Sequence, residues 1–80
     1  MNEFKPQIVE VKKDVKLFAK EAGAKDFKLM AFEKGEEFNS YFTRDDYFVL
    51  IVDEFGAQLI LAKDEVRPDN YQNYFQAKAT

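Results

Sequence analysis

The chain has no histidine and no cysteine, only three glycines and two prolines, and a single serine, Ser40. Each scarcity excludes a chemistry. Without cysteine there is no disulfide and no thiolate metal site. Without histidine, Ser40 has no imidazole to activate it as a nucleophile. Gly23, Gly35 and Gly56 are too far apart to form a phosphate-cradling loop. No run approaches the ~18 consecutive apolar residues of a membrane-spanning helix, and the N-terminus lacks the basic-then-apolar pattern of a signal peptide. The expectation is a soluble, cytoplasmic protein with no catalytic residues, no metal and no cofactor.

Aromatic residues and acids are abundant instead. Nine Phe and four Tyr in 80 residues can supply a dense core for one small domain spanning 1–80. The net charge of −3 is unevenly spread: residues 1–32 hold seven Lys against five acids, and residues 33–80 hold ten acids against five Lys or Arg. The acids of the second half cluster as doublets: Glu36-Glu37, Asp45-Asp46, Asp53-Glu54 and Asp64-Glu65. Such a surface repels a phosphate backbone and attracts a basic partner.

Hydrophobic spacing sets the fold expectation. Ile8, Val11, Val15, Phe18 and Ala22 recur at the 3-4-3-4 interval of one helix face, with Pro6 in the first turn and Gly23 as C-cap. The β-branched residues support a competing reading: a strand over 4–11 and a helix from about Asp14. Residues 26–33 read as a strand. Residues 36–46 fit helix through Phe38, Tyr41 and Phe42, or strand through Phe38, Ser40 and Phe42, and Arg44-Asp45-Asp46 reads as a turn. Residues 47–52 and 57–62 are apolar runs joined by Asp53-Glu54-Phe55-Gly56, the pattern of a hairpin with a type I turn and a glycine bulge. Both faces of residues 47–52 are apolar, so that strand should be central. After Arg67-Pro68, Tyr71, Tyr74, Phe75 and Lys78 fit one face of a short helix capped by Asp69 or Asn70. These signals predict an α+β domain: an antiparallel sheet of three or four strands, with an N-terminal helix and a short C-terminal helix packed on it. Phe18, Leu50, Val52, Ile60 and Phe75 should be buried.

The functional expectation follows from charge and aromatics. Adjacent acids on a strand point to opposite faces, so the doublets do not form a paired-carboxylate site, and no calcium-loop spacing is present. They serve either as solvated turns guarding strand edges or as an acidic docking face. The second use makes the chain a small non-enzymatic inhibitor or regulator that binds a protein with a basic surface. A nucleic-acid-handling enzyme is the target class that charge suits, and phage or mobile-element accessory factors include proteins of this kind. The candidate docking residues are Glu36, Glu37, Asp45, Asp46, Asp53, Glu54, Asp64, Glu65, Tyr41, Tyr71 and Tyr74. Two alternatives stand beside it. One is a nucleic-acid-binding module using Lys12, Lys13, Lys16 and Lys20, although interspersed Glu10, Asp14 and Glu21 make a solvated face the simpler reading of that strip. The other is a structural subunit assembling through an exposed sheet edge.

Overall fold

The computed structural model describes residues 7–78. Among them, seven strands form one antiparallel sheet, and the sole helical element is a 3-10 turn. The strands are β1 (Gln7–Val11), β2 (Val15–Glu21), β3 (Lys28–Phe32), β4 (Glu37–Phe42), β5 (Phe48–Ile51), β6 (Gln58–Leu61) and β7 (Phe75–Ala77), in the spatial order β3-β2-β6-β5-β4-β1-β7. The expected α+β architecture is therefore corrected to all-β.

The first four strands are one hairpin folded in half. The pairing runs from Gln7↔Ser40 to Glu10↔Glu37 between β1 and β4, and resumes from Val15↔Phe32 to Ala19↔Lys28 between β2 and β3 with no change of register. A straight hairpin arm over residues 7–21 would be about 50 Å long. The longest molecular dimension is 31 Å, so the arms must bend. They bend where Lys12-Lys13-Asp14 faces Glu33–Glu36. There, Val11 exchanges hydrogen bonds with Glu36 and Gly35, and the Asp14 carboxylate accepts from the Lys34 N–H at 2.8 Å. Gly35 has φ +94, a conformation glycine adopts without strain.

β5 and β6 then bridge the folded hairpin, β5 pairing with β4 and β6 with β2. Seven flat strands would hold the edges about 29 Å apart. Instead Phe32 of β3 lies 6.3 Å from Phe75 of β7, ring centroid to centroid. The sheet is rolled into a small barrel-like body around Val9, Val11, Leu17, Ala19, Phe32, Phe48, Leu50, Leu61, Val66 and Phe75, all buried. Edge-on and tilted aromatic contacts link Phe38, Phe32, Phe75, Phe48, Phe42 and Tyr71 through the interior. Ser40, also buried, donates its hydroxyl to the Gln7 carbonyl at 3.1 Å.

The N-terminal helix is absent because a period of two outweighs the 3-4 spacing. Val9, Val11, Val15, Leu17 and Ala19 share one face across the bend and point inward. The helical stripe mixed faces: Val11 and Val15 pack inward, while Ile8 and Phe18 lie on the outer face. Four of the residues involved, Ile8, Val9, Val11 and Val15, are β-branched and favour the pleated surface. The competing helix from Asp14 is excluded by β2, and Gly23 sits in the β2–β3 turn with φ +91 rather than capping a helix. Pro6, expected to open the helix, lies outside the described residues, as do residues 4–6 of the alternative strand.

The C-terminal helix is likewise replaced. Tyr71–Asn73 make one 3-10 turn, and Phe75 enters β7 by pairing with Val11. The Asn70 side chain accepts from the Arg67 N–H rather than capping the turn. Residues 36–46 take the strand reading, with Phe38, Ser40 and Phe42 inward in β4. Of the expected core, Leu50 and Phe75 are fully buried, Ile60 is half-buried, and Phe18 and Val52 are 44% and 38% exposed. The β5–β6 hairpin forms as expected, with Gly56 at φ +86 and β5 fourth of the seven strands.

Leu50 contributes its whole side chain to the core. Truncating it to Ala should lower unfolding free energy by about 2–5 kcal/mol. A urea melt that shifts by less than about 1 kcal/mol would contradict the packing described.

Candidate functional site

The rolled sheet is open where β5 turns into β6. Inward-facing Met30, Val52 and Leu59 are only partly covered there, and a cleft of about 640 Å³ runs between them and the loop residues Gly56 and Ala57. Its charged lining is acidic, from Glu21 and Asp53. Beside the cleft, Phe55 stands at the tip of the hairpin, 88% exposed. A large apolar side chain this exposed is the informative kind of exception on a protein surface.

The tip is held by its own acid. The Asp53 carboxylate accepts from the N–H groups of Phe55 and Ala57 at 2.9 and 3.0 Å, and the Val52 N–H donates to the Ala57 carbonyl. Asp53 thus behaves as a local turn former, and Phe55 is presented on an ordered loop. Glu54, next to it, makes no hydrogen bond or ion pair among the described residues.

The four doublets divide between two ends. Asn39↔Ile51 is the last β4–β5 pair, so Glu37 and Asp53 both lie two residues beyond it, at the Phe55 end. Asp45-Asp46 and Asp64-Glu65 lie at the opposite end, where Asp46 shares a shallow hollow with Lys63, Arg67 and Asp69. Several of these acids have structural duties. Glu36 accepts from the Glu33 N–H at 2.7 Å, and Glu65 from the Phe18 N–H at 2.6 Å. Asp46 takes φ +67 in the β4–β5 turn, which Asp tolerates better than most residues. Glu37 binds Lys78 at 3.0 Å. That hydrogen bond, together with the negative charge of Glu10 at 3.6 Å, raises the Lys78 ammonium above its usual range.

The tyrosines separate in the same way. Tyr71 packs on Phe42 and Phe48 at 5.3 and 5.5 Å, so its ring belongs to the core margin. Tyr74 packs against the core as well and lies 5.7 Å from the Lys13 ammonium. Tyr41 is half-buried on the outer face of β4, opposite Val49. The lysine strip is not on a helix: Lys12 and Lys13 occupy the bend, where Lys12 donates to the carbonyls of Gln72 and Tyr74. Lys16 and Lys20 alternate with Phe18 on the outer face of β2.

Phe55 and the cleft are absent from the residues expected from sequence. The available signal was an apolar residue in the middle of a hairpin loop, outside the alternation of either strand. Among the described residues, no three acidic side chains gather as a metal site, and no helix is long and apolar enough to cross a membrane. No protein-family model, curated protein or solved structure matches the chain.

Replacing Asp53 with Ala should cost about 1–3 kcal/mol by removing the acceptor of two loop N–H groups. The Phe55 and Ala57 amides should then exchange with solvent faster, while Asp53→Asn, which keeps an acceptor oxygen, should stay closer to wild type. Unchanged exchange in Asp53→Ala would show that the side chain does not order the tip.

Proposed function

We propose that this chain is a small non-enzymatic inhibitor or regulator that docks its Phe55 end onto a larger protein with a basic surface. The observation carrying this reading is the 88% exposure of Phe55 on a tip ordered by Asp53, beside an apolar cleft with Glu21 and Asp53 on its lining. An ordered aromatic loses little conformational entropy on binding and suits an anchor role. The surrounding acids steer encounter with a basic partner and set orientation. A cleft that holds nucleic-acid phosphates offers such cations, so a nucleic-acid-handling protein in the cytoplasm is the target class proposed.

Affinity capture from cells and mass spectrometry would supply the partner, and titrations at two salt concentrations would test the site. Phe55→Ala should weaken binding by about 30-fold or more if Phe55 is an anchor. Glu54→Lys should weaken it by a smaller factor that shrinks as salt rises. Asp45→Lys, at the opposite end, should bind like wild type. Equal affinity of Phe55→Ala and wild type would overturn this reading, and a loss confined to Asp45→Lys would move the docking face to the other end.

A second reading has its own observation: Phe18 lies 44% exposed between Lys16 and Lys20 on one strand face, an aromatic flanked by cations as in single-stranded nucleic-acid grooves. Against it, the Glu65 carboxylate sits at the Phe18 backbone. This reading requires retention on heparin and a labelled oligonucleotide affinity that falls with Phe18→Ala and with added salt. The docking reading expects the protein to flow through.

A further inference from the structure

The cleft at the β5–β6 end has an apolar floor and a charged rim, and the register explains both. Leu17 and Ala19 are buried on the inward face of β2. Two residues further on, alternation gives Glu21 the same face, and its pair partner on β6 is Leu59. Leu59 in turn pairs with the buried Leu50 of β5. A carboxylate therefore ends a row of inward-facing apolar side chains, at the corner where the sheet is open. The second rim acid, Asp53, follows β5, and β6 lies between the strands that carry the two acids.

Neither acid is neutralised by the chain itself. Glu21 makes no ion pair among the described residues. Asp53 gives Oδ1 to the Phe55 and Ala57 N–H groups, and its Oδ2 has no partner among the described residues. No lysine or arginine lines the cleft. Lys28 lines a smaller hollow next to it with Glu21 and Asp26, and pairs with neither.

We infer that the cleft receives a lysine side chain of the docking partner. Its stem lies on Met30, Val52 and Leu59, and its ammonium is drawn to Glu21 and to Asp53 Oδ2. The inference rests on the docking reading and names what the partner inserts beside Phe55. Charge complementarity selects this occupant. A stem of about four methylenes covers a partly exposed apolar floor while its charged head stays hydrated at the rim. An uncharged aliphatic side chain would cover the floor and leave the carboxylates without a partner. Arginine suits the rim less well. Its planar fork matches a carboxylate with two free oxygens, and Asp53 offers one.

Titration of isotope-labelled protein with N-acetyl-lysine methylamide, followed by amide NMR, tests the site without the partner. The Ala22, Gly56 and Ala57 amides should shift saturably. The norleucine analogue keeps the stem without the charge, and should bind about three-fold more weakly or worse; the arginine analogue should also bind more weakly than lysine. Added salt should narrow the difference between lysine and norleucine. Glu21→Gln, at an exposed strand end, should keep the wild-type circular dichroism spectrum and lose most of that difference. In a second arm, a saturating lysine probe should displace the partner obtained by affinity capture, and the norleucine probe should not. No saturable shift, norleucine or arginine binding as tightly as lysine, a salt-independent difference, or Glu21→Gln behaving like wild type would each overturn the inference. Occupancy of the cleft without displacement of the partner would overturn it too, and would leave the Phe55 anchor standing. The docking reading itself fails on a different result, equal partner affinity of Phe55→Ala and wild type.

Discussion

The fold depends on the bend in its first hairpin. Left straight, β1–β2 and β3–β4 would form a two-stranded ribbon with one apolar face and no second layer to cover it, an arrangement of marginal stability in water. Folding that ribbon at Lys12–Asp14 and Glu33–Glu36 turns its apolar face onto itself. The two arms keep their register through the bend, so Val9 and Val11 on one side and Leu17 and Ala19 on the other stay inward. The backbone groups at the corner would otherwise lose ladder partners. The Asp14 and Glu36 carboxylates accept two of the freed N–H groups, from Lys34 and Glu33. β5 and β6 can then join β4 to β2 and close the body around the Phe cluster.

The same need for acceptors accounts for part of the acidic composition. A rolled sheet of short strands has many turns, and each turn leaves N–H groups outside the ladder. Asp53 and Glu65 answer that need as Asp14 and Glu36 do. Four of the fifteen acids, Asp14, Glu36, Asp53 and Glu65, therefore serve backbone satisfaction, and an acid in such a position cannot be reversed without disturbing the fold. Glu54 and Asp45 are not used in this way, which makes them the cleaner probes of surface charge. A count of carboxylates in the sequence does not distinguish the two groups.

What was legible in the sequence depended on how local the deciding interaction is. The β5–β6 hairpin rests on two apolar runs and a glycine in the left-handed region, all within about fifteen residues of one another by strand and loop dimensions. The strand at residues 28–32 was similarly readable. The N-terminal segment was not, because Ile8, Val11, Val15 and Phe18 satisfy a helical interval while Val9, Val11, Val15, Leu17 and Ala19 satisfy a strand interval. The choice between them is made by β4, β3 and β6, whose edges β1 and β2 complete. Lys13 obscures the alternation further, since it occupies an inward-facing place at the one point where the chain must turn a corner. At the C-terminus Phe75 was read correctly as a core residue, whereas Tyr71 and Tyr74, expected to dock a partner, pack against the core margin. The pairing of Phe75 with Val11 depends on an edge more than sixty residues away in sequence, among the least local contacts of the described residues.

The candidate docking end was legible only in part for the same reason. Asp53 and Glu54 mark a turn in any reading, but the exposure of Phe55 follows from the loop geometry: Asp53 binds the Phe55 and Ala57 N–H groups, and that closure directs the intervening chain away from the strands. Burying Phe55 would require opening this loop and losing both bonds. Val52 and Met30 are exposed to the cleft because the sheet is open at that corner, with β3 ending its pairing on β2 alone. The opening joins β3 to the β5–β6 loop: Met30 lines it on one side and Gly56 and Ala57 on the other, with the exposed Phe55 tip beside them.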